Sequence, residues 1–498
     1  IAVVAVPSLA TVIITMGALV GSGNTLHIMS SMIPIFLMPI AILDSVHILS
    51  EFFDRYDGRD RVGTVASVVG ELRRPIGYTS LTTAIGFGAL VLVPIPPVQL
   101  FGLFVALGVG LAWLFTLTLL PALLVSIDER RLRPVTRPIG DGSGGLPVIH
   151  RLVTTRRPVI LAVAALIAVV AVPSLATVTV NDNPVRWFRS GHEVRQSTER
   201  LGEALPGTFT ASLVASESTL GALDDNDNRA AVAELATELR AHPEVGSVQT
   251  YLDGDYPVLR SDGVANIRLQ LETGDNTAMQ SVVDLADETL GRHPIDGLEF
   301  EWAGEAYLNL TWQDKMVSGM LLGFATTLVA IFVLLLALFR SLRWAVMAMI
   351  PVAWTILVVY GAMALAGRDF DMPVAVLSTM VLGIGVDFAI HFVERFRTLL
   401  ATTGSVDRAL AAFFGEPARA MTRNALVIAL GFLPLLLSSL VPYVVVGVLL
   451  ASIVGLSWLA SVVVLPALVG GRTGGHGPGH PVEHADVPAP GPLVGAQR

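Results

Sequence analysis

Ten apolar runs punctuate the chain, at 1–20, 32–52, 79–94, 99–124, 158–178, 316–339, 344–366, 374–394, 424–441 and 442–469. A helix needs about 20 mostly apolar residues to cross ~30 Å of hydrocarbon. Lipid offers the backbone no hydrogen-bond partners, so runs of this length are expected to span as helices. The expected fold class is a polytopic α-helical membrane protein. Composition agrees, with 53% hydrophobic residues, 15% charged residues and a mean hydropathy of +0.67. These values exclude a water-soluble globular protein and a disordered chain. The net charge of −9 excludes a nucleic-acid partner.

Charge is concentrated in one place. Residues 181–315 hold 34 of the 73 charged residues and carry a net −14, whereas the remainder carries +5. This reads as one acidic soluble domain set into a membrane protein. Loops 53–78, 126–157, 340–343 and 395–423 together hold 19 arginines, while the short loops on the other side hold only Arg368. The positive-inside rule places the arginine-rich set in the cytoplasm and the acidic domain outside. The expected location is a bacterial cell (inner) membrane, crossed many times.

Several chemistries are absent from the sequence. There is no cysteine, which removes disulfides, thiolate metal sites and thiol nucleophiles. The one lysine, Lys315, precedes Met316, so no P-loop Gly-Lys-Ser/Thr is encoded. No cofactor or metal site is expected. An ion gradient, or a partner, must supply the energy for any work.

An internal repeat runs through the spans. At an offset of 344, Pro7 matches Pro351, Gly17 matches Gly361, Pro39 matches Gly383 and His47 matches His391. At an offset of 345, Gly86-Phe87 matches Gly431-Phe432, Trp113 matches Trp458, and Leu120-Pro121-Ala122-Leu123 matches Leu465-Pro466-Ala467-Leu468. Six spans per copy, an even number, makes the two copies parallel. The expected domains are a partial first repeat of four spans (1–125), a cytoplasmic linker (126–157) and the first span of the second repeat (158–180). The extracytoplasmic domain (181–315), the remaining five spans (316–470) and a disordered tail (471–498) follow. On this pairing about 190 residues, including a sister soluble domain, are expected ahead of Ile1.

Within the soluble domain, 209–217, 246–252, 264–272 and 298–303 read as strands, and 228–241 and 277–293 as helices. The order βαββαβ predicts an α+β, ferredoxin-like domain. Asp224, Asn226 and Asn228 are spaced like calcium ligands, but Arg229 stands where such a loop needs glycine, which favours a helix-capping loop.

The chemistry lies in Gly383-Ile-Gly385-Val-Asp387-Phe-Ala-Ile-His391. A mid-span carboxylate costs on the order of 3 kcal/mol to insert, so it marks a functional site by default. Gly383 and Gly385 admit close approach of another helix, which would hold Asp387 inside the bundle. His391 lies one turn on, as a hydrogen-bond partner or a second proton carrier. The first copy offers Asp44 and His47, with Asp44 one position later in register, about 100° around a helix. Glu51 and Glu394, beside Arg55 and Arg395 at span ends, suit interfacial ion pairs. Asn424 and Thr422 read either as polar partners of Asp387 or as helix caps.

Six-span copies, a soluble head after the first span of a copy, and GxGxD followed by His together resemble the resistance-nodulation-division superfamily. The likeness covers 1–470 and is to its MMPL and hydrophobe/amphiphile efflux branch, related to the sterol-sensing domain of Patched-like proteins. It implies a proton-driven secondary transporter, not an enzyme, that exports lipids or other amphiphiles. Asp44, Asp387, His47 and His391 would form the relay, with membrane lipids, the substrate and protons as partners. A homo-oligomer is compatible with this. Two departures stand out. Phe388 and Ser45 follow the aspartates where mycobacterial relays of this type place tyrosine, and Pro39 and Ala41 replace the glycine pair in the first copy. Mycolate-type substrates gain no support from them. A sterol-sensing-type lipid binder without coupled flux, or a SecDF-like export auxiliary, is the alternative on the same fold.

Overall fold

The computed structural model describes residues 2–127, 145–253 and 260–470. The expected tail, 471–498, and much of the expected linker lie outside these residues. Among them, ten helices are long and apolar enough to cross a membrane: Val3–Gly21, Met29–Phe53, Arg61–Leu92, Pro96–Ser126, Arg157–Thr177, Glu305–Phe339, Leu342–Leu365, Pro373–Thr403, Glu416–Leu437 and Val441–Val469. They are numbered below as spans one to ten. The protein is a multi-pass membrane protein.

Several of these helices outrun the apolar runs. Spans three and nine begin at Arg61 and Glu416, well before the expected 79 and 424. Arginine and glutamate are good helix formers, so the helix continues where hydropathy falls. Span six begins at Glu305, and its first turns belong to the soluble domain. Ala306 and Leu310 join that domain's core, whereas Met316, Met320, Ile331 and Leu335 join the membrane core. The expected domain edge at 315 therefore falls inside one unbroken 35-residue helix. Part of the expected linker is also ordered, as the helix Leu146–Thr155.

The soluble domain is built on five strands: β1 (Phe209–Glu217), β2 (Val245–Gln249), β3 (Arg260–Ser261), β4 (Val264–Leu271) and β5 (Leu298–Ala303). The sheet order is β2-β4-β1-β5, every pairing is antiparallel, and β3 pairs with β4. Alternation sends Ala211, Leu213 and Ala215 of β1, and Ile267, Leu269 and Leu271 of β4, to one face. There they meet Val232, Leu235 and Leu239 of helix Asn226–Arg240, and Met279, Val282 and Ala286 of helix Asn276–Arg292. Asp225 caps the first of these helices by accepting from the Asp227 and Asn228 N–H groups, and Asp224 pairs with Arg260. The 224–228 segment is thus a capping loop. The sequence reading did not include the helix Glu193–Ala204, which has no buried residue.

Candidate functional site

The site is assembled by spans two, three and eight. Span eight is interrupted at Val386, so that one helix ends at Gly385 and the next begins at Asp387. The Gly385 carbonyl at this break accepts a hydrogen bond from Ser457 Oγ of span ten. Irregular backbone at membrane depth is tolerated where protein groups satisfy it in this way. Gly383 lies directly against span three, where an added Cβ would sit 3.1 Å from the Thr82 carbonyl oxygen and 3.1 Å from Thr83 Cα. At Gly385 the neighbours are more distant, at 3.8 Å and beyond.

Both carboxylates are buried, Asp44 at 4% and Asp387 at 9% exposure. Ser80 Oγ donates to Asp44 Oδ2 at 3.1 Å, and Thr82 Oγ1 donates to Asp387 Oδ1 at 3.4 Å. Ser80 and Thr82 both belong to span three, which thus gives one hydroxyl to each carboxylate. Asp44, Asp387, His47, His391 and Ser80 line one small cavity of about 30 Å³. That is room for one or two waters. The one-residue shift between the aspartates does not separate them, because the break at Val386 re-aims Asp387.

The structure places the remaining residues differently from expectation. Asn424 is buried within the helix Glu416–Phe432 and is not a cap. Its amide Nδ2 lies 2.9 Å from His47 Nδ1 and 3.0 Å from Nε2. Thr422 donates to the Ala418 carbonyl and accepts from Trp458 Nε1. Neither is hydrogen-bonded to Asp387. The partners the sequence reading missed are Ser80 and Thr82, which lie in the run Thr79-Ser80-Leu81-Thr82-Thr83. Four hydroxyls in five residues of an apolar span are a readable signal. Glu51 does pair with Arg55, which also bridges to Glu71.

A second polar cluster ties the head to the membrane domain. Val180 bridges to Phe370, and the Phe370 N–H donates to the Thr179 carbonyl at 2.8 Å. Thr179 Oγ1 and Asn181 Nδ2 both donate to Asp369. Asn181 Oδ1 accepts from the Asn276 N–H, and Asn276 Nδ2 donates to Gln313 Oε1. Trp187 Nε1 donates to Asp182 Oδ1 at 2.9 Å. Burial pushes the Asp371 carboxyl up to about 6; nearby Asp182 and Asp369 add to this, while the Val374 N–H and Arg368 oppose it. Burial raises Asp182 as well, against the pull of the Trp187 indole. Asp371 caps the helix that leads to Asp387, 16 residues or about 24 Å of helix further on.

Fold and site together define a polytopic membrane protein with two buried carboxylates and an α+β domain hydrogen-bonded to the start of a carboxylate-bearing span. Comparison with known proteins gives the family: the model of the MMPL family matches residues 186–481, and the chain belongs to that family. A second model, Patched SSD, matches residues 1–126. The chain is 24% identical over 408 residues to membrane protein YdfJ of Bacillus subtilis (76% of this chain, 53% of the relative). It is 26% identical over 365 residues to the sulfolipid-1 exporter MmpL8 of Mycobacterium tuberculosis (68% and 32%). To the mycolic acid-containing lipids exporter MmpL11 of Mycolicibacterium smegmatis it is 23% identical over 466 residues (85% and 47%). The chain spans about half or less of the length of these three relatives.

Proposed function

We propose that this protein exports lipids or other amphiphiles across or out of the cell membrane, driven by protons that bind and leave Asp44 and Asp387. The observation that carries this reading is the small cavity in which two carboxylates, on spans two and eight, each accept one hydroxyl from span three. A buried carboxylate changes its interactions with neighbouring helices whenever it gains or loses a proton, which makes it a natural driver of helix rearrangement. The lipid exporters among its relatives support the substrate class.

Transmission to the head has two rigid routes. Span six is continuous with the head's core, and the 179–182 segment is hydrogen-bonded to the start of span eight. A shift of span eight at Asp387 would thus be felt at Asp369 and Asp371. We read the head as a ferredoxin-like porter unit on the extracytoplasmic side, from its strand order and from the arginine bias of the opposite loops.

The test is Asp387→Asn in the full-length protein, with lipid efflux and proton uptake measured in proteoliposomes. Asparagine keeps size and hydrogen bonding but fixes the neutral form, so both fluxes should stop while insertion stays normal. Proton-coupled efflux by Asp387→Asn at the wild-type rate would overturn the relay, and a wild-type protein that binds lipid but moves none would favour the sterol-sensing-type lipid binder.

A further inference from the structure

The two histidines occupy a position that the carboxylate relay alone does not explain. Below the small cavity lies a second, much larger hollow of about 720 Å³, walled by the arginine-rich ends of the spans. Glu51, Arg74, Arg395 and Arg397 line it, so it is wet and opens on the face opposite the head. Asp44, Asp387 and Ser80 line only the small cavity, whereas His47 and His391 line both. Their rings stack with centroids 4.9 Å apart and planes 26° from parallel. Two flat rings in contact form the floor of one space and the roof of the other.

We infer that the His47–His391 pair is the partition between a water-filled vestibule and the carboxylate cavity, and that protons cross it by being handed through the imidazoles. This deepens the proton-coupled reading above and rests on it for the direction of use. The step balances without any further reagent. A ring nitrogen takes a proton from hydronium in the vestibule, leaving water, and the imidazolium then releases the proton on its other nitrogen towards Asp44 or Asp387, directly or through a cavity water. The carboxylate becomes a carboxylic acid and the imidazole is neutral again in its other tautomer.

Asn424 is a positioning residue for this pair. Its Nδ2 lies within hydrogen-bond distance of both nitrogens of His47, so it has an acceptor in either neutral tautomer. It braces the ring while leaving the tautomer free to change. Stacking also limits the pair's charge, since two imidazolium rings face to face would repel.

Cysteine labelling tests the partition directly: this chain has no cysteine, and any that lie outside it are first replaced by serine. Single cysteines are introduced in the full-length protein, held in nanodiscs so that reagent reaches both faces. The probe is a positively charged methanethiosulfonate, and the readout is its labelling rate. Ala420→Cys, in the vestibule, should label fast. Thr83→Cys, in the small cavity, should label about tenfold or more slowly, because the reagent waits on local opening. Adding His391→Ala should bring the Thr83→Cys rate close to that of Ala420→Cys. Adding His391→Phe keeps a ring in place but no proton site, so Thr83→Cys should stay protected while proton flux is lost. Asn424→Leu should speed labelling at Thr83→Cys and leave Ala420→Cys unchanged; an unchanged rate at both would overturn the role of Asn424.

Equal labelling of Thr83→Cys and Ala420→Cys with both histidines intact would overturn the partition. So would protection that survives His391→Ala. Proton flux undiminished in His391→Phe would overturn the hand-over. These rates do not depend on the carboxylates being a relay, so Asp387→Asn should leave the labelling pattern intact. Failure of the relay and failure of the partition are therefore read in separate measurements.

Discussion

The four spans before residue 127 and the four that end at Val469 make the same contacts in several places and differ at the site itself. Gly102 packs against Leu90 and the Phe87 carbonyl, and Gly447 packs against Leu435 and the Phe432 carbonyl, each residue 345 positions from its counterpart. Trp113 Nε1 lies 3.3 Å from where a Cβ on Gly77 would be, and Trp458 Nε1 bonds Thr422, again 345 positions on. Spans four and ten also lose regular α geometry at matching places, at Thr118 and over the π turn Ala460–Val464. The carboxylates break the pattern. Both take their hydroxyl from span three, while the counterpart of that region in span nine supplies Asn424 to His47. Close packing at span ends tolerates little variation, whereas the polar centre has different partners in the two halves.

The largest test of this inequality is at the carboxylates. Asp387→Asn should reduce export by about 100-fold or more, and Asp44→Asn should impair it less, with Asp387→Glu retaining part because it still titrates. Initial efflux rates in proteoliposomes decide it; equal losses at Asp44 and Asp387 would make the two halves functionally equivalent despite their different partners.

Next come the matched glycines. An added Cβ at Gly102 would sit 2.5 Å from both Leu90 Cβ and the Phe87 carbonyl oxygen, and at Gly447 2.8 Å from Leu435 Cβ. Gly102→Ala and Gly447→Ala should each destabilise by about 1–3 kcal/mol, as overpacking does. Melting in detergent would expose a false equivalence if only one of them moved.

Gly383 and Gly431 should behave oppositely to each other. Gly383→Ala drives a methyl into the span-three backbone and should cost about 1 kcal/mol even after the gain in helix propensity. It should also lower export, because Thr82 reaches Asp387 across that contact. At Gly431 the nearest atom, Pro39 Cβ, is 3.9 Å away, so Gly431→Ala should be neutral or slightly stabilising.

The smallest effect belongs to the neck. A carboxyl whose folded-state value lies near 6, above the ordinary 3.8, binds its proton more tightly in the folded protein. Its contribution to stability is full below pH about 4 and is lost as pH rises through 6. Asp371→Asn keeps an acceptor for the Val374 N–H and mimics the protonated form. It should therefore melt about 2 °C above wild type at pH 8, with the gap closing by pH 4. A gap independent of pH would mean that Asp371 does not titrate at this junction.

Much of the architecture is legible in the sequence because one-dimensional chemistry dictates it. Hydropathy locates ten spans, and period-two and period-3.6 patterns locate the head's strands and helices, with β1 and β5 agreeing residue for residue. Span ends are less legible, since Arg61–Thr79 and Glu305–Lys315 are polar yet helical, their backbone bonds indifferent to whether lipid or water lies outside. The site was half legible. Asp44, Asp387 and the histidines stand out by the cost of burying them. Which groups touch them does not, because Ser80 and Thr82 are common residues whose importance comes only from the helix they face.

The sequence by itself determined that the chain crosses a membrane, where it carries charge, and which titratable residues lie at mid-span. These follow from transfer free energies that each residue carries wherever it is placed. Only the tertiary structure decided that two carboxylates out of register share one cavity, that a hydroxyl pair on a single span serves both, and that two histidines 344 residues apart stack into one wall. Those facts depend on distances between helices, which are set by how glycines and bulky side chains interlock across all the spans together.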